Sequence, residues 1–248
     1  MRIGLLHVGR MPEELADRHG VYPPVFPDLL LPAGPEIVFD DHFVLEGALP
    51  GAVDTCDAWL VTGSAAGVYD SDPWIAPIRD FLVRCRAGGR PVVGICFGHQ
   101  LMAEALGGRA ELSHRGWGCG VHRYDVLHRP AWMADAPEAL SLHAMHRDQV
   151  VAIPGDATVL AASAFCPYAM LAYGDPEAPD AISIQPHPEF VRGVAEDLTA
   201  LRTGDGKIPA EVGAPALATY GDPVHNAQVA RWIVAYLRAV VSARADAA

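Results

Sequence analysis

The chain has almost no lysine: Lys207 is the single one in 248 residues, and no basic run occurs. The formal net charge is −12. Without clustered cations a phosphate backbone has nothing to bind, so nucleic acid is excluded as a partner and the acidity reads as ordinary solubility. Long apolar runs are missing as well. No stretch approaches the length that crosses a bilayer, so no membrane span is expected. The opening Met1-Arg2-Ile3-Gly4-Leu5-Leu6-His7-Val8 is short and enters a Gly/Pro region. It lacks a signal peptide's apolar core and cleavage site, and reads as a first strand. Cysteine is sparse: Cys56, Cys85, Cys96, Cys119 and Cys166 form no CxxC pair and no zinc pattern. An odd number of cysteines without a leader points to a reducing, cytoplasmic setting. Most should be small buried hydrophobes, with one candidate nucleophile among them. His7, His99, His114, His122, His128 and His143 also lack metal-ligand spacing, and no metal is expected. Internal repeats and low-complexity linkers are absent.

What is present is apolar and ordered. Hydrophobic residues make up 51% of the chain, enough for a packed core rather than disorder. Its length suits one α/β domain, taken here as residues 1–248. Strands are expected at Arg2 to Val8, Glu36 to Phe39, Ala58 to Thr62 and Pro91 to Ile95. A helix with Pro73 in its first turn presents Ile75, Ile78, Phe81, Leu82 and Cys85 on one face, and Gly88-Gly89 ends it. A second helix covers Phe97 to Leu106. This alternation implies a mainly parallel sheet covered on both faces. Strands at Val121 to Leu127, Thr158 to Ala162, Ala169 to Tyr173 and Ala181 to Ile184 suit an antiparallel extension. Val229, Trp232, Ile233, Tyr236, Leu237 and Val240 form a helical stripe, placing a C-terminal helix at about residues 222–243 that packs on the sheet. Trp59 and Trp74 are expected in the core, and His143 and His146 in a strand-to-loop context. Residues 11–52 and 204–222 are rich in Gly and Pro and receive no firm assignment; either can border a pocket or dock a partner.

Three segments carry chemistry. In Val92-Val93-Gly94-Ile95-Cys96-Phe97-Gly98-His99-Gln100 a buried strand meets a cysteine and a helix starts at once. Such a turn exposes a nucleophile at the carboxyl end of a sheet, flanking glycines leave room for it, and the helix N-terminus favours a thiolate. Ile182-Ser183-Ile184-Gln185-Pro186-His187-Pro188-Glu189-Phe190 offers an imidazole base and, two residues on, a carboxylate to orient it. Val61-Thr62-Gly63-Ser64-Ala65-Ala66-Gly67-Val68-Tyr69 follows a strand with small residues, which lets a backbone N–H approach a developing oxyanion. It lacks the Walker lysine and the G-x-G-x-x-G spacing, so phosphate and dinucleotide binding are disfavoured. Each segment alone is ordinary. Together they sit at the ends of separate strands, where open α/β sheets bind ligands.

Gly94-Ile95-Cys96-Phe97-Gly98-His99-Gln100 followed by His187-Pro188-Glu189 resembles the class I, triad-type glutamine amidotransferases over about residues 55 to 192. The resemblance implies a flavodoxin-like three-layer α/β sandwich with an antiparallel extension. It implies Cys96 as nucleophile, His187 as base and Glu189 as its orienter. Backbone N–H groups of Gly63 and Phe97 would form the oxyanion hole, and Gln100 would hold the amino-acid end of the substrate. Ala144-Met145-His146-Arg147-Asp148-Gln149-Val150 is similar to an S-H-G-D stretch beside the glutamine pocket of the GMP synthetase type, with Met145 for Ser and Arg147 for Gly. Ser64, Met145, His146 and Arg147 are therefore candidate substrate contacts, the arginine as a fork for a carboxylate. Gln185-Pro186-His187-Pro188-Glu189 departs from the usual Q-F-H-P-E, a change of packing more than of chemistry. No S-G-G-x-D-S pyrophosphatase motif follows, and the chain reads as the amidotransferase domain alone. The implied reaction is hydrolysis of the γ-amide of glutamine through a γ-glutamyl thioester, without cofactor, supplying ammonia to a separate synthetase subunit. A stand-alone γ-glutamyl peptide hydrolase is the alternative, since such peptidases resemble the chain in the T/S-G-S-x-x-G-V-Y and H-R-D-x-V stretches. A non-catalytic binding module stands third.

Overall fold

The computed structural model describes residues 1–247, with side chains to Arg244. The first half alternates strand and helix. It runs β1 (Arg2–His7), α1 (Glu13–His19), α2 (Val25–Leu30), β2 (Val38–Phe43), β3 (Ala58–Val61), α3 (Ile75–Ala87), β4 (Val92–Ile95) and α4 (Phe97–Ala105). Strands then dominate: β5 (Arg109–Leu112), β6 (Gly118–Val126), β7 (Ala139–His146), β8 (Asp148–Ala152), β9 (Ala157–Ala162), β10 (Met170–Tyr173) and β11 (Ala181–Ile184). Helices α5 (Arg192–Gly204), α6 (Ala210–Thr219) and α7 (Asn226–Ala247) end the described chain.

Nine strands form one sheet in the order β2-β1-β3-β4-β11-β10-β9-β6-β7. The five from β2 to β11 are parallel, and β10, β9, β6 and β7 extend the sheet in antiparallel pairs. Strands β5 and β8 form a separate antiparallel pair. The central strands β3 and β4 read as unbroken apolar runs because both faces are covered, whereas the edge strand β2 carries Asp40, Asp41 and His42. Successive side chains point to opposite faces. Ile3, Leu5, Leu60, Val93, Ile95, Ile182 and Ile184 therefore join Phe26 and Leu30 of α2 and Val229, Trp232, Ile233 and Leu237 of α7. Leu6, Trp59, Val61 and Val92 face Ile75, Ile78, Phe81, Leu82 and Cys85 of α3 and Phe97, Leu101 and Met102 of α4. These are the three layers of the expected flavodoxin-like sandwich. Among the described residues no helix is long and apolar enough to cross a membrane.

Several details correct the sequence reading. Pro73 precedes Trp74, the N-cap of α3, so it lies ahead of the first turn. Strand β7 contains His143 and ends at His146, with a bend at Arg147 where the strand-to-loop context was expected. The 204–222 segment contains α6 despite Pro215 in its interior. Packing outweighs the proline: Val121 of β6 donates its backbone N–H to Thr219 Oγ1 at 2.8 Å, and Gly120 does so to Tyr220 Oη at 3.1 Å. The 11–52 region holds α1, α2 and β2. Trp59 is fully buried, whereas Trp74 is half-buried, its ring 5.2 Å from that of Phe97. Cys56, Cys85, Cys119 and Cys166 are free, buried thiols.

Candidate active site

The carboxyl ends of β1, β3, β4 and β11 open on one cavity of about 430 Å³. Cys96 stands at its base, between β4 and α4. Its φ of 51° and ψ of −100° make it the single non-glycine residue of positive φ among those described. Such strain persists only where the surroundings over-determine it. Here the Cys96 N–H donates to Ile184 O at 2.8 Å, and the Cys96 carbonyl accepts from Gln100 N–H at 3.1 Å, holding the elbow between β11 and the first turn of α4. As the first residue of α4, Phe97 has no carbonyl within the helix to receive its N–H.

His187 is reached from β11 through Gln185-Pro186 and clamped from two sides. Its N–H donates to His143 O at 2.8 Å, forming a bridge to β7. Its Nδ1 lies 2.7 Å from Glu189 Oε1, with both side chains buried. The Phe190 ring stacks on the imidazole at 4.1 Å and 12°. Phe190 O in turn accepts from Asn226 at 2.8 Å and lies 3.0 Å from His143 Nδ1. Burial opposes charge on His187, but the Glu189 carboxylate and the Cys96 sulfur outweigh it and hold the ring's pKa well above its ordinary value. His187 Nε2 is buried and has no hydrogen-bond partner. Gly63, just past β3, lies against both groups: a Cβ there would be 3.2 Å from His187 Cε1 and 3.5 Å from Cys96 Cβ.

Cys96, His187, Glu189, Gly63, Ser64, Gln100, Met145, His146 and Arg147 all line the cavity. Phe97 is buried against Trp74 and reaches the site by its backbone. Gln100 Nε2 donates to Asp148 O at 2.9 Å and to Gln185 Oε1 at 3.1 Å, which leaves Oε1 as its free group. Ser64 Oγ accepts from Ala66 N–H within its own loop at 3.2 Å. His146 is buried, and that burial with the nearby His187 charge lowers its pKa to about 3. Arg147 is exposed and forms no ion pair among the described residues. Behind the elbow, His99 Nδ1 lies 2.7 Å from Ser183 Oγ, itself 2.9 Å from Tyr173 Oη, which ties α4 to β11 and β10.

The structure adds residues that sequence reasoning missed. Tyr69 donates to Asp148 Oδ2 at 2.8 Å across the cavity mouth, and Asp70 accepts from Gly67 N–H at 2.7 Å. Burial raises the Asp148 pKa, partly offset by the Tyr69 hydrogen bond. Arg10 and Tyr22 come from the 11–52 region and its approach, so this segment borders the cavity. The 204–222 segment contributes no lining residue and packs on β6. Tyr69 and Asp148 lie inside the segments already singled out, but nothing in their spacing tells that they meet.

Residues 54–201 match the family model described as Glutamine amidotransferase class-I. The chain belongs to that family. Gamma-glutamyl peptidase 4 of Arabidopsis thaliana is 26% identical over 223 residues, covering 87% of this amidotransferase chain and 86% of that protein. The glutamine-hydrolyzing GMP synthase of Edwardsiella ictaluri is 39% identical over 108 residues, which cover 41% of this chain and 20% of the synthase. A solved glutamine amidotransferase from Thermotoga maritima superposes with a TM-score of 0.74 at 17% identity, covering 97% of both chains. At that identity the likeness speaks for the class I amidotransferase fold.

Proposed function

We propose that the chain hydrolyses γ-glutamyl amide bonds through Cys96, His187 and Glu189. The observation that carries this reading is the buried His187, held by Glu189 at 2.7 Å on one nitrogen while the other is left for the sulfur of the strained Cys96. A raised imidazole pKa favours the thiolate–imidazolium pair, the reactive form of such a dyad. The thiolate attacks the γ-carbonyl and forms a C–S bond, and the N–H groups of Gly63 and Phe97 receive the oxyanion. His187 gives its proton to the leaving nitrogen as the C–N bond breaks. Water, deprotonated by His187, then cleaves the thioester, releasing glutamate and restoring the thiolate. Both half-reactions use only the chain's own groups and water.

The favoured substrate is a γ-glutamyl compound whose leaving group is larger than ammonia. A cavity of about 430 Å³ is of the size that holds drug-sized ligands, more than a glutamyl group fills. Asp148 and Asp70 suit the α-ammonium, and Gln100 Oε1 can accept from it. Arg147 supplies a planar fork for a carboxylate, with Ser64, Met145 and His146 forming the adjoining wall. The alignment over 86% of a gamma-glutamyl peptidase supports the same reading. A glutaminase that passes ammonia to a separate synthetase subunit is the second reading, favoured by the 39% identity to a GMP synthase segment.

The test is glutamate release by purified protein from a panel of glutamine and γ-glutamyl peptides. Turnover of a γ-glutamyl peptide, lost in Cys96→Ala, is expected. Arg147→Ala should impair longer peptides more than glutamine. Inactivity on the whole panel, rescued only by an added synthetase, would reject the hydrolase in favour of the ammonia-delivering subunit. Equal losses on all substrates in Arg147→Ala would remove the role given to the arginine.

A further inference from the structure

We propose that Asp40, His42 and Cys56 bind a zinc-class divalent cation at the outer edge of the sheet, away from the candidate active site. Asp40 and His42 are two apart on the edge strand β2 and so project to one face. That face meets the segment just before β3, which carries Cys56. Their ligand atoms all lie within 4.8 Å of one another. Asp40 Oδ2 is 3.8 Å from Cys56 Sγ and 3.8 Å from His42 Nε2. Tetrahedral zinc with sulfur, nitrogen and oxygen ligands needs separations of about 3.3 to 3.6 Å, so the two distances to Asp40 must shorten by a few tenths of an ångström and that from His42 Nε2 to Cys56 Sγ, which lies within 4.8 Å, by at most about 1.3 Å.

The donors are poorly satisfied without a cation. His42 Nε2 is shielded from solvent and has no hydrogen-bond partner. The Cys56 thiol is buried, and its contact with the carboxylate is long. A thiolate, an imidazole and one carboxylate are the borderline ligands that zinc prefers over magnesium or calcium. The opposite face of β2 serves the active-site side: Asp41, between the two ligands, points away to His7 Nε2 at 2.7 Å. Arg2 Nη1 now lies 3.7 Å from Asp40 Oδ2, but its half-exposed side chain is free to turn to solvent. A thiol binds zinc as the thiolate, so binding displaces its proton to solvent, one per ion. The ion would tie the edge strand to the segment entering β3.

Cobalt(II) provides the test, in a Cys96→Ala background that removes the competing active-site thiol. Reduced, chelator-treated protein should bind one equivalent, with the near-ultraviolet charge-transfer band of a cobalt thiolate, and one equivalent of zinc should abolish that band. Adding Cys56→Ser should eliminate the band. Adding His42→Gln should weaken cobalt binding at least tenfold with an unchanged circular dichroism spectrum. Absence of the band in Cys96→Ala, its survival in Cys96→Ala/Cys56→Ser, or unaltered affinity in the His42→Gln variant would each overturn the site.

Discussion

Gly63→Ala separates catalytic geometry from folding. Gly63 has no positive φ, so alanine can adopt its backbone conformation. The new methyl would lie 3.2 Å from His187 Cε1 and 3.5 Å from Cys96 Cβ. Carbon atoms settle about 3.5 to 4.0 Å apart, so the imidazole must retreat by roughly half an ångström. It cannot do so freely, because Phe190 stacks on it at 4.1 Å and Glu189 holds Nδ1 at 2.7 Å. A misplacement of about 1 Å costs on the order of a hundredfold in rate, so half of that costs about tenfold, or about 1.4 kcal/mol of barrier. Crowding of the thiol adds to this, and the expected fall in kcat/KM is about 10- to 100-fold. Stability should change by less than about 1 kcal/mol, because the crowded groups face a cavity. Gly98→Ala is the control. Its Cβ would lie 2.6 Å from Val61 O, a backbone atom of β3 that cannot swing aside, so the expected loss is stability, about 1 to 3 kcal/mol. Glutamate release and urea unfolding midpoints of both variants decide the matter. A Gly63→Ala enzyme within twofold of the parent would refute the reasoning.

Three further outcomes follow from the same geometry. Iodoacetamide at neutral pH should label one cysteine, Cys96, because burial raises the Cys56 thiol and pushes the Cys85, Cys119 and Cys166 thiols up to about 12; peptide mapping showing equal labelling elsewhere would count against the assignment. Glu189→Gln removes a charge that raises the His187 pKa, so turnover should drop on the order of 10³-fold and the alkaline limb of the pH–rate profile should move to lower pH; an unmoved limb would separate Glu189 from His187. His99 and His146 are buried, with pKa values lowered to about 3, so between pH 6.5 and that value the unfolded chain binds protons that the fold does not. Stability should therefore fall with pH, by about 1 kcal/mol per histidine from pH 6.5 to 5.5, and His146→Gln should remove about half of the combined loss in urea titrations; an identical pH dependence in that variant would contradict this.

The sequence by itself determined the parallel half of the fold. Strands buried on both faces must be unbroken apolar runs, and Ala58, Trp59, Leu60 and Val61 of β3 and Val92 and Val93 of β4 obey that rule. It likewise disclosed the elbow at Cys96 and the pairing of His187 with Glu189, whose local spacing carries their geometry. Strand β7 was not legible: the alternation that Leu140, Ser141, Leu142 and His143 begin is short and breaks at the small Ala144 and apolar Met145, and its worth lies in the bridge from His143 to His187. Helix α6 was hidden by Pro215, which local propensity penalises and packing on β6 overrides. Only tertiary structure brought Tyr69 to Asp148 across 79 positions, set Arg10 and Tyr22 on the cavity wall, and gathered Asp40, His42 and Cys56 at one edge. Such contacts join residues far apart in the chain, and their partners are chosen by sheet order and loop path, which no local pattern of side chains encodes.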